Sequence, residues 1–481
     1  MKLALDPHAF QSLSDRLFAA GVEFPCGGES ACGGCKVRVL EGQVPVTPRM
    51  REALSEQQIR DGWRLACCAS AAGRVLVEVE QWSPRVLAGD SGRATESIEP
   101  REGRGAVIDL GTTTLVVEVV DLASGEVLRV ETALNPQARF GADVMSRLEY
   151  DLRRPGELAC VIRHKLACML GSEPLREVLV AGNTAMHHLF GGLDVEPLTH
   201  APFLSPRLGG YRLAAEESGW PQPVEFLPCL GGFVGSDLLC GIVATRLDEQ
   251  ARPQALFDIG TNGEVVVGSA QGIACASTAA GPAFEGGRVG AGMRAGTGAI
   301  DSVHVRGGAL ECHVIGGGPA RGICGSGLVD AAACALELGR LRPDGRLNGD
   351  HQRLALTGGV ALAQRDIREL QLAKGAMAAG LRLLAAGGVE KLYLAGAFGN
   401  YIRPPSAAAI GLLPQDLPVE PVGNTALRGA RALLLAPSTR RQRLGRILSR
   451  CRHVELAALA DFSNRFADMM TLAPYRLKDH P

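Results

Sequence analysis

Ala106-Val-Ile-Asp-Leu-Gly-Thr-Thr-Thr-Leu-Val-Val-Glu118 is two β-rich runs joined by a glycine–threonine turn, and the design returns at Ala255-Leu-Phe-Asp-Ile-Gly-Thr-Asn-Gly-Glu-Val-Val-Val267. In each copy a strand ends near an aspartate, Gly111-Thr112-Thr113 or Gly260-Thr261-Asn262 makes the turn, and a second strand leaves. A carboxylate, hydroxyls and turn amides then sit on one side of a tight hairpin, which suits a phosphate and its metal ion. Amides and hydroxyls hold phosphoryl oxygens. Asp109 and Asp258 hold Mg2+ or its waters, because magnesium prefers hard oxygen ligands and keeps part of its hydration shell. One copy is a weak signal, since any hairpin can turn at Asp-Leu-Gly-Thr. Two copies facing across a cleft make a nucleotide site, one loop in 105–250 and the other in 251–481 of an α/β protein.

Upstream of the first hairpin, residues 83–104 are rich in Gly, Pro, Ser and charge without a sustained period, and read as a linker. Residues 1–82 carry Phe24-Pro-Cys-Gly-Gly-Glu-Ser-Ala-Cys-Gly-Gly-Cys-Lys36, in which Cys26, Cys32 and Cys35 are spaced C-x5-C-x2-C. The downstream pair Cys67-Cys68 offers a fourth thiol, and the three-plus-one spacing is that of a ferredoxin-type 2Fe-2S site. Glycines in the loop let backbone N–H groups approach the anionic sulfurs. A zinc site is the competing assignment, but structural zinc usually takes two short Cys-x2-4-Cys knuckles. Neighbouring side chains of an extended segment point to opposite faces, so one thiol of the pair ligates and the other does not. Cys67 is the expected ligand. Met1–Leu5 reads as a strand, 9–20 as an amphipathic helix, and Lys36–Leu40 and 75–80 as half-buried strands. A ferredoxin normally begins with a strand hairpin, so the single short strand suggests a trimmed first hairpin or a missing upstream start.

At 481 residues the chain exceeds one ordinary domain, and about three are expected at roughly 150 residues each. Lys+Arg is 50 against 51 Asp+Glu, with no basic block, which argues against nucleic acid. No apolar run reaches bilayer length, so no membrane partner is expected, and a cytoplasmic location is. Most of the 14 cysteines lie in apolar contexts and read as small buried hydrophobes in a reducing compartment.

The paired loops resemble those of the acetate and sugar kinase, Hsc70 and actin (ASKHA, ribonuclease H-like) superfamily. Further runs extend the likeness: Ala133-Leu-Asn-Pro-Gln137, Arg139-Phe-Gly-Ala-Asp-Val144, Val180-Ala-Gly-Asn-Thr-Ala-Met186, Ala279-Ala-Gly-Pro-Ala-Phe-Glu-Gly286, Gly322-Ile-Cys-Gly-Ser-Gly-Leu-Val-Asp330 and Leu394-Ala-Gly-Ala-Phe-Gly399. With the cysteine loop they resemble the reductive activators of corrinoid proteins over nearly the whole chain. That resemblance implies a two-lobed actin-like ATPase behind an α+β ferredoxin-like domain. It also implies one-electron transfer from a 2Fe-2S cluster to an inactive Co(II) corrinoid, restoring Co(I), with ATP and Mg2+ as cofactors. Its partners would be a corrinoid protein of a methyltransferase system and a low-potential electron donor, with a homodimer kept open. By position, Asp109, Thr112 and Thr113 would form the first phosphate loop and Asp258, Thr261 and Asn262 the second, with Glu264 orienting water. Gly325, Ser326 and Gly327 would open a helix Leu328–Leu338 toward ribose or phosphate, and Gly396 and Gly399 would lie where adenosine sits. Gly-Ser-Gly before a helix is as often an N-cap with close packing. The loop around Glu285 reads as a catalytic or a domain-closing element.

Two other classes remain in play: a small-molecule kinase regulated by a redox domain, and a nucleotide-binding redox sensor. His187-His188 reads as helix surface or core rather than a metal site, because adjacent helical side chains diverge. The arginine-rich run Ser438–Arg446 reads as a solvated helix face or, secondarily, a docking patch.

Overall fold

The computed structural model describes residues 2–6, 12–19, 22, 35–79, 98–141, 143–260, 262–278, 280–348, 353–399 and 401–479. The N-terminal unit is a sheet of β1 (Lys2–Leu5), β2 (Lys36–Glu41), β3 (Trp63–Leu65) and β4 (Val75–Glu78) in the order β1-β4-β2-β3, every pair antiparallel. Alternation turns Val37, Val75 and Val77 inward, where Leu17 and Phe18 of the helix Leu13–Ala19 cover them. The expected cluster loop before Cys35, including Cys26 and Cys32, lies outside the described residues, as do 80–82 and the first part, 83–97, of the expected linker. The end of that linker is strapped to the lobes. Glu99 N donates to Leu435 O at 2.9 Å, Arg101 N to Leu122 O at 3.1 Å, and Ile98 packs into the core between the lobes.

Lobe I carries β5 (Arg104–Leu110), β6 (Thr114–Asp121), β7 (Val127–Leu134), β8 (Leu175–Gly182), β9 (Tyr211–Leu213) and β10 (Val224–Phe226), ordered β7-β6-β5-β8-β10-β9. Lobe II builds its main sheet from β11 (Gln254–Ile259), β12 (Gly263–Ser269) and β13 (Gly272–Thr278). After these come β14 (Ala299–Arg306), β15 (Ala309–Val314), β16 (Gly322–Ile323), β17 (Arg353–Ala355) and β18 (Ala361–Ala363), which form two small sheets. β19 (Leu392–Ala395), β20 (Val419–Gly423) and β21 (Cys451–His453) complete the main sheet in the order β20-β19-β11-β12-β13-β21. The lobes repeat one topology: β5 and β11 each pair antiparallel with the next strand and parallel with the strand on the other side, β8 or β19. The quoted hairpins are therefore the centres of two equivalent sheets.

The lobes join where the helices Ser236–Thr245 and Thr425–Leu435 cross, within a shared core that includes Val107, Leu239, Leu256 and Leu427. The crossing needs Gly429, since a Cβ there would stand 1.9 Å from Cys240 O. Arg431 and Glu118 form a buried ion pair at 2.9 Å between the same helix and β6. Removing one partner leaves a buried charge, at a cost of about 3–5 kcal/mol. The run Ser438–Arg446 is solvated over much of its length, with Ser438, Thr439, Arg441, Gln442, Gly445 and Arg446 exposed, but Arg440 is buried and Arg443 half-buried. It lies in the helix Pro437–Arg450, where Arg440 pairs with Glu177 at 2.6 Å, Arg446 with Asp248 at 2.9 Å and Arg443 with Glu249 at 3.4 Å. His187 and His188 are core residues: His188 bonds Thr184 O at 2.8 Å and Ser205 Oγ at 2.7 Å, and His187 bonds Gly209 O at 3.1 Å. Among the described residues no helix is long and apolar enough to cross a membrane.

Candidate nucleotide cleft and iron–sulfur site

The first loop is held in place by four side chains from distant parts of the chain. Gly111 N donates to Thr114 O at 3.0 Å to close the turn, and a Cβ at Gly111 would fall 2.6 Å from that oxygen. Asn135, fully buried, donates Nδ2–H to Gly111 O at 2.9 Å and its backbone N–H to Thr113 O at 2.8 Å. Arg147, 1% exposed, donates to Thr112 O at 2.5 Å and Gly141 O at 3.0 Å. Asn183 donates Nδ2–H to Thr112 Oγ1 at 2.8 Å while its Oδ1 caps the helix Thr184–Gly191. Asn424 crosses from lobe II, donating Nδ2–H to Asp109 Oδ2 at 2.7 Å and capping Thr425–Leu435 with Oδ1.

In the second loop Gly260 N donates to Asn262 O at 3.0 Å, and Asp258 stands opposite Glu264 in the β11–β12 register. Thr261 lies outside the described residues. Ser277 reaches Glu264 at 3.5 Å. Gly396 has φ of 89°, and a Cβ on it would lie 2.5 Å from Asp258 Oδ1, so only glycine lets the β19 turn rest against that carboxylate. Gly399 is in ordinary tight packing, its Cβ position 3.2 Å from Leu394.

The sequence missed a further acid at the floor of the cleft. Asp237, in the first turn of Ser236–Thr245, lies close enough to Asp109, Asp258 and Glu264 for their charges to act on one another. Each of the four is half-buried. Burial first, and then mutual repulsion, raises Asp237 and Asp258 to about 7. Burial raises Asp109 to about 6, against the Asn424 hydrogen bond, which lowers it. Burial first, and then the Asp237 and Asp258 charges, push Glu264 well above the carboxylate range. Among the described residues no three His, Cys, Asp or Glu side chains converge tightly enough to ligate a metal directly. Crowded carboxylates at longer range instead fit an ion held partly through its own waters, as magnesium is. Asp237 had a structural signal only: its helix starts at Gly235, where a Cβ would stand 2.1 Å from Gly182 O at the end of β8.

The Gly-Ser-Gly element is packed backbone. The helix runs Gly325–Glu337, three residues earlier than expected. A Cβ at Gly325 would meet Phe284 O at 2.1 Å, one at Gly327 would meet Ile300 O at 2.2 Å, and Ser326 Oγ donates to Asp301 O at 2.8 Å. Phe284 stacks on Phe398 at 4.8 Å, which brings the 282–285 turn beside the Gly396–Gly399 turn. Glu285 and Arg294 act electrostatically on Arg147 of lobe I, so this turn faces the first loop's anchor.

In the N-terminal unit Cys35 and Cys67 bring their sulfurs to 3.2 Å. Cys68 points instead toward Leu65 O and Thr47 Oγ1, at 3.8 and 3.6 Å. The geometry favours Cys67 over Cys68 as a companion of Cys35.

Three family models match the chain in order: a 2Fe-2S iron–sulfur cluster binding domain over 7–72, the RACo middle region over 104–250, and the C-terminal ASKHA domain of RACo over 253–481. A "corrinoid activation enzyme RamQ" of Eubacterium limosum is 35% identical over 382 residues, 69% of this chain and 64% of that relative, so the match spans under two-thirds of its length. A "[Co(II) methylated amine-specific corrinoid protein] reductase" of Methanosarcina barkeri is 26% identical over 69% of this chain and 70% of its own. The solved structure of a "reductive activator for corrinoid,iron-sulfur protein" superposes with a TM-score of 0.67 at 25% identity, covering 98% of this chain and 97% of that one. The two RACo models together take in both lobes, the ferredoxin model precedes them, and the whole-length superposition keeps that order: the chain belongs to the family of reductive activators of corrinoid proteins, with a 2Fe-2S cluster binding domain followed by an ASKHA domain.

Proposed function

We propose that this chain is an ATP-dependent reductive activator that passes one electron at a time to the Co(II) corrinoid of a methyltransferase system and so regenerates Co(I). The observation that carries the reading is the convergence of Asp109, Asp237, Asp258 and Glu264 between two phosphate-loop hairpins, in a chain that also pairs Cys35 with Cys67. A 2Fe-2S cluster held by Cys26, Cys32, Cys35 and Cys67 would supply single electrons. Magnesium would neutralise the crowded carboxylates and the phosphates together.

The chain's own residues would then work as follows. Gly111, Thr112 and Thr113, fixed by Asn135, Arg147 and Asn183, present amides and hydroxyls to the nucleotide phosphates from lobe I. Gly260, Thr261 and Asn262 do so from lobe II. Asp109 and Asp258 orient the metal's waters. Glu264 would orient the attacking water, and Asp237, raised to about 7 by burial, would accept its proton. Gly396 keeps the adenosine-side turn against Asp258, while Gly325 and Gly327 set the distance between the Ser326 helix and the 282–285 turn. ATP is needed because a ferredoxin-type cluster sits near about −400 mV, above the very low-potential Co(II)/Co(I) couple. Each 59 mV of uphill gap costs about a factor of ten for one electron.

The test is ATP turnover by the reduced protein with candidate acceptors. Stimulation by a Co(II) corrinoid protein, with no phosphorylated product from added sugars or carboxylic acids, supports the reading. Phosphoryl transfer to a small acceptor with no response to the corrinoid protein replaces it with the kinase alternative. The electron donor is proposed to be a low-potential carrier, and a homodimer is tested by sedimentation.

A further inference from the structure

A cavity of about 360 Å³ opens at the seam between the strapped end of the linker, the lobe I sheet and the helix Pro437–Arg450. Its charged wall comes from Arg101 of the strap, Arg176 and Glu177 of β8, Arg212 of β9 and Glu225 of β10. Strand register explains the convergence. Glu225 pairs with Arg212 on one side and Leu179 on the other, so alternation sets Glu177, Glu225 and Arg212 on one face of the sheet. Arg440 of the helix lies against that face. β8 runs on from here to Gly182, which pairs with Leu110 beside the first phosphate loop, so the cavity and the nucleotide cleft lie at opposite ends of one strand.

Both carboxylates in the wall are already shared between arginines. Glu177 takes Arg440 at 2.6 Å and Arg101 at 3.4 Å, and Glu225 takes Arg212 at 2.8 Å and Arg440 at 3.7 Å. They brace the guanidiniums of Arg101, Arg212 and Arg440, and with Arg176 at the rim four positive charges face two negative ones. The unused donors show the same imbalance. Arg176 is exposed, lies beside Gly103, and makes no hydrogen bond or ion pair with the described residues. Arg101 Nε and Arg440 Nη1 are buried without a hydrogen-bond partner among the described residues, and Arg440 as a whole is 8% exposed. Buried donors are normally satisfied by protein, water or a bound ion. Like charges gathered round a hollow repel one another, and an anion in the hollow turns that repulsion into attraction. The planar guanidinium fork matches the oxygens of a carboxylate or a phosphate. The volume falls in the range of small-molecule sites, about 300–1,000 Å³. Pro223 and Val224 add apolar wall for a carbon skeleton.

We propose that this cavity binds a small organic dianion, a phosphate monoester or a dicarboxylate, which completes the arginine cluster and ties the anchored end of the linker to lobe I and to the helix Pro437–Arg450. Arg101, Arg176, Arg212 and Arg440 come from separate elements, so the ligand binds best when all are in the arrangement seen here, and occupancy favours that arrangement. The site stands independently of the ATPase reading, since none of its residues belongs to the nucleotide cleft.

Calorimetric titration of the full-length holoprotein with glycerol 3-phosphate and with succinate tests this, at fixed ionic strength and with acetate as the monoanion control. At least one dianion should bind saturably at millimolar concentration or below, and the tighter of the two identifies the head group. Arg176→Ser and Arg212→Ser, both at the exposed rim, should each weaken binding about tenfold or more, the scale of one hydrogen bond to a charged group. Arg306→Ser, an exposed arginine on the β14–β15 hairpin, should leave binding unchanged. Hydrogen exchange of the peptide 98–104 should slow when the dianion is bound to the wild type, and should not respond in Arg176→Glu. No saturable binding of either dianion overturns the proposal, as does binding that survives both rim substitutions or that acetate matches. Binding that leaves exchange in 98–104 unchanged overturns the tie to the linker.

Discussion

The two proposed phosphate loops occupy equivalent positions in equivalent sheets, yet they are built differently. The first is locked: Asn135, Arg147 and Asn183 hold its backbone and hydroxyl, and Asn424 neutralises part of the demand on Asp109. At the second, Asp258 faces Glu264 across the hairpin, the Asp237 and Asp109 charges raise it beyond what burial does, and among the described residues no hydrogen bond offsets them. One loop is a preorganised cradle, and the other is a charged surface that a cation must complete. Preorganised donors act without reorganisation at the moment of reaction, while crowded like charges supply differential affinity for a loaded state. Lobe I therefore reads as the fixed half of the site, and lobe II as the half whose electrostatics respond to nucleotide.

The sharpest way to break this contrast is to neutralise one acid in each loop. Asp258→Asn should lower ATP turnover by about 10²–10³, the scale of losing one transition-state electrostatic contact. Asp109→Asn should do the same, and both variants should keep the reduced-cluster EPR signal. Unchanged turnover in either assigns that loop no part in catalysis.

Arg147→Met should separate locking from charge. It strands Thr112 O and Gly141 O in a buried place, at about 1–3 kcal/mol for each unpaired group, which a urea midpoint would register. Nucleotide affinity should fall with it. An equivalent loss from Ser277→Ala, whose contact to Glu264 is 3.5 Å, would erase the asymmetry.

A smaller effect is expected at Asn424. Asn424→Ser retains a capping oxygen but gives up the donor to Asp109, so stability should change by less than the ~1 kcal/mol that Asn424→Ala costs as a cap, while both should weaken nucleotide binding. Equal binding in Asn424→Ala and the wild type would show that the interlobe bond does not tune Asp109.

The helix behind the first loop gives the smallest and most indirect effect. Burial first, and then the neighbouring His188, lowers His187 to about 3, against about 6.5 in an unfolded chain. Between those values the unfolded chain binds more protons, so this group's contribution to stability is present at neutral pH and is lost as pH falls through that window. His187→Gln, which can still donate to Gly209 O, should show a flatter acid limb in chemical denaturation than the wild type. Parallel curves would contradict the burial of a neutral imidazole.

The parts legible in the sequence were those whose chemistry is local. Both loops are hairpins, so aspartate, turn and return strand are neighbours in the chain, and the cysteine spacing reports its site in the same way. Residues that act across the fold left no local mark. Asn424 is 315 positions from Asp109, and Arg147 reads in sequence as one more basic residue on a helix. A fainter signal did exist for Asn424, because Gly423-Asn424-Thr425-Ala426 repeats Gly182-Asn183-Thr184-Ala185, the other helix-capping asparagine beside a phosphate loop. Gly325 and Gly327 show the opposite difficulty. A glycine needed to face a phosphate and one needed to pass a carbonyl look alike until the neighbouring oxygen is seen.

The most direct test of the account follows the cobalt itself. The reduced protein is mixed anaerobically with a Co(II) corrinoid protein, with and without Mg-ATP, and the visible absorbance of Co(II) and Co(I) is recorded with a methyl donor present to trap Co(I). Co(I) should form with ATP, fail to form in Cys35→Ala, and form slowly or not at all in Asp258→Asn while that variant's cluster stays reducible. Co(I) appearing equally well without nucleotide would contradict it.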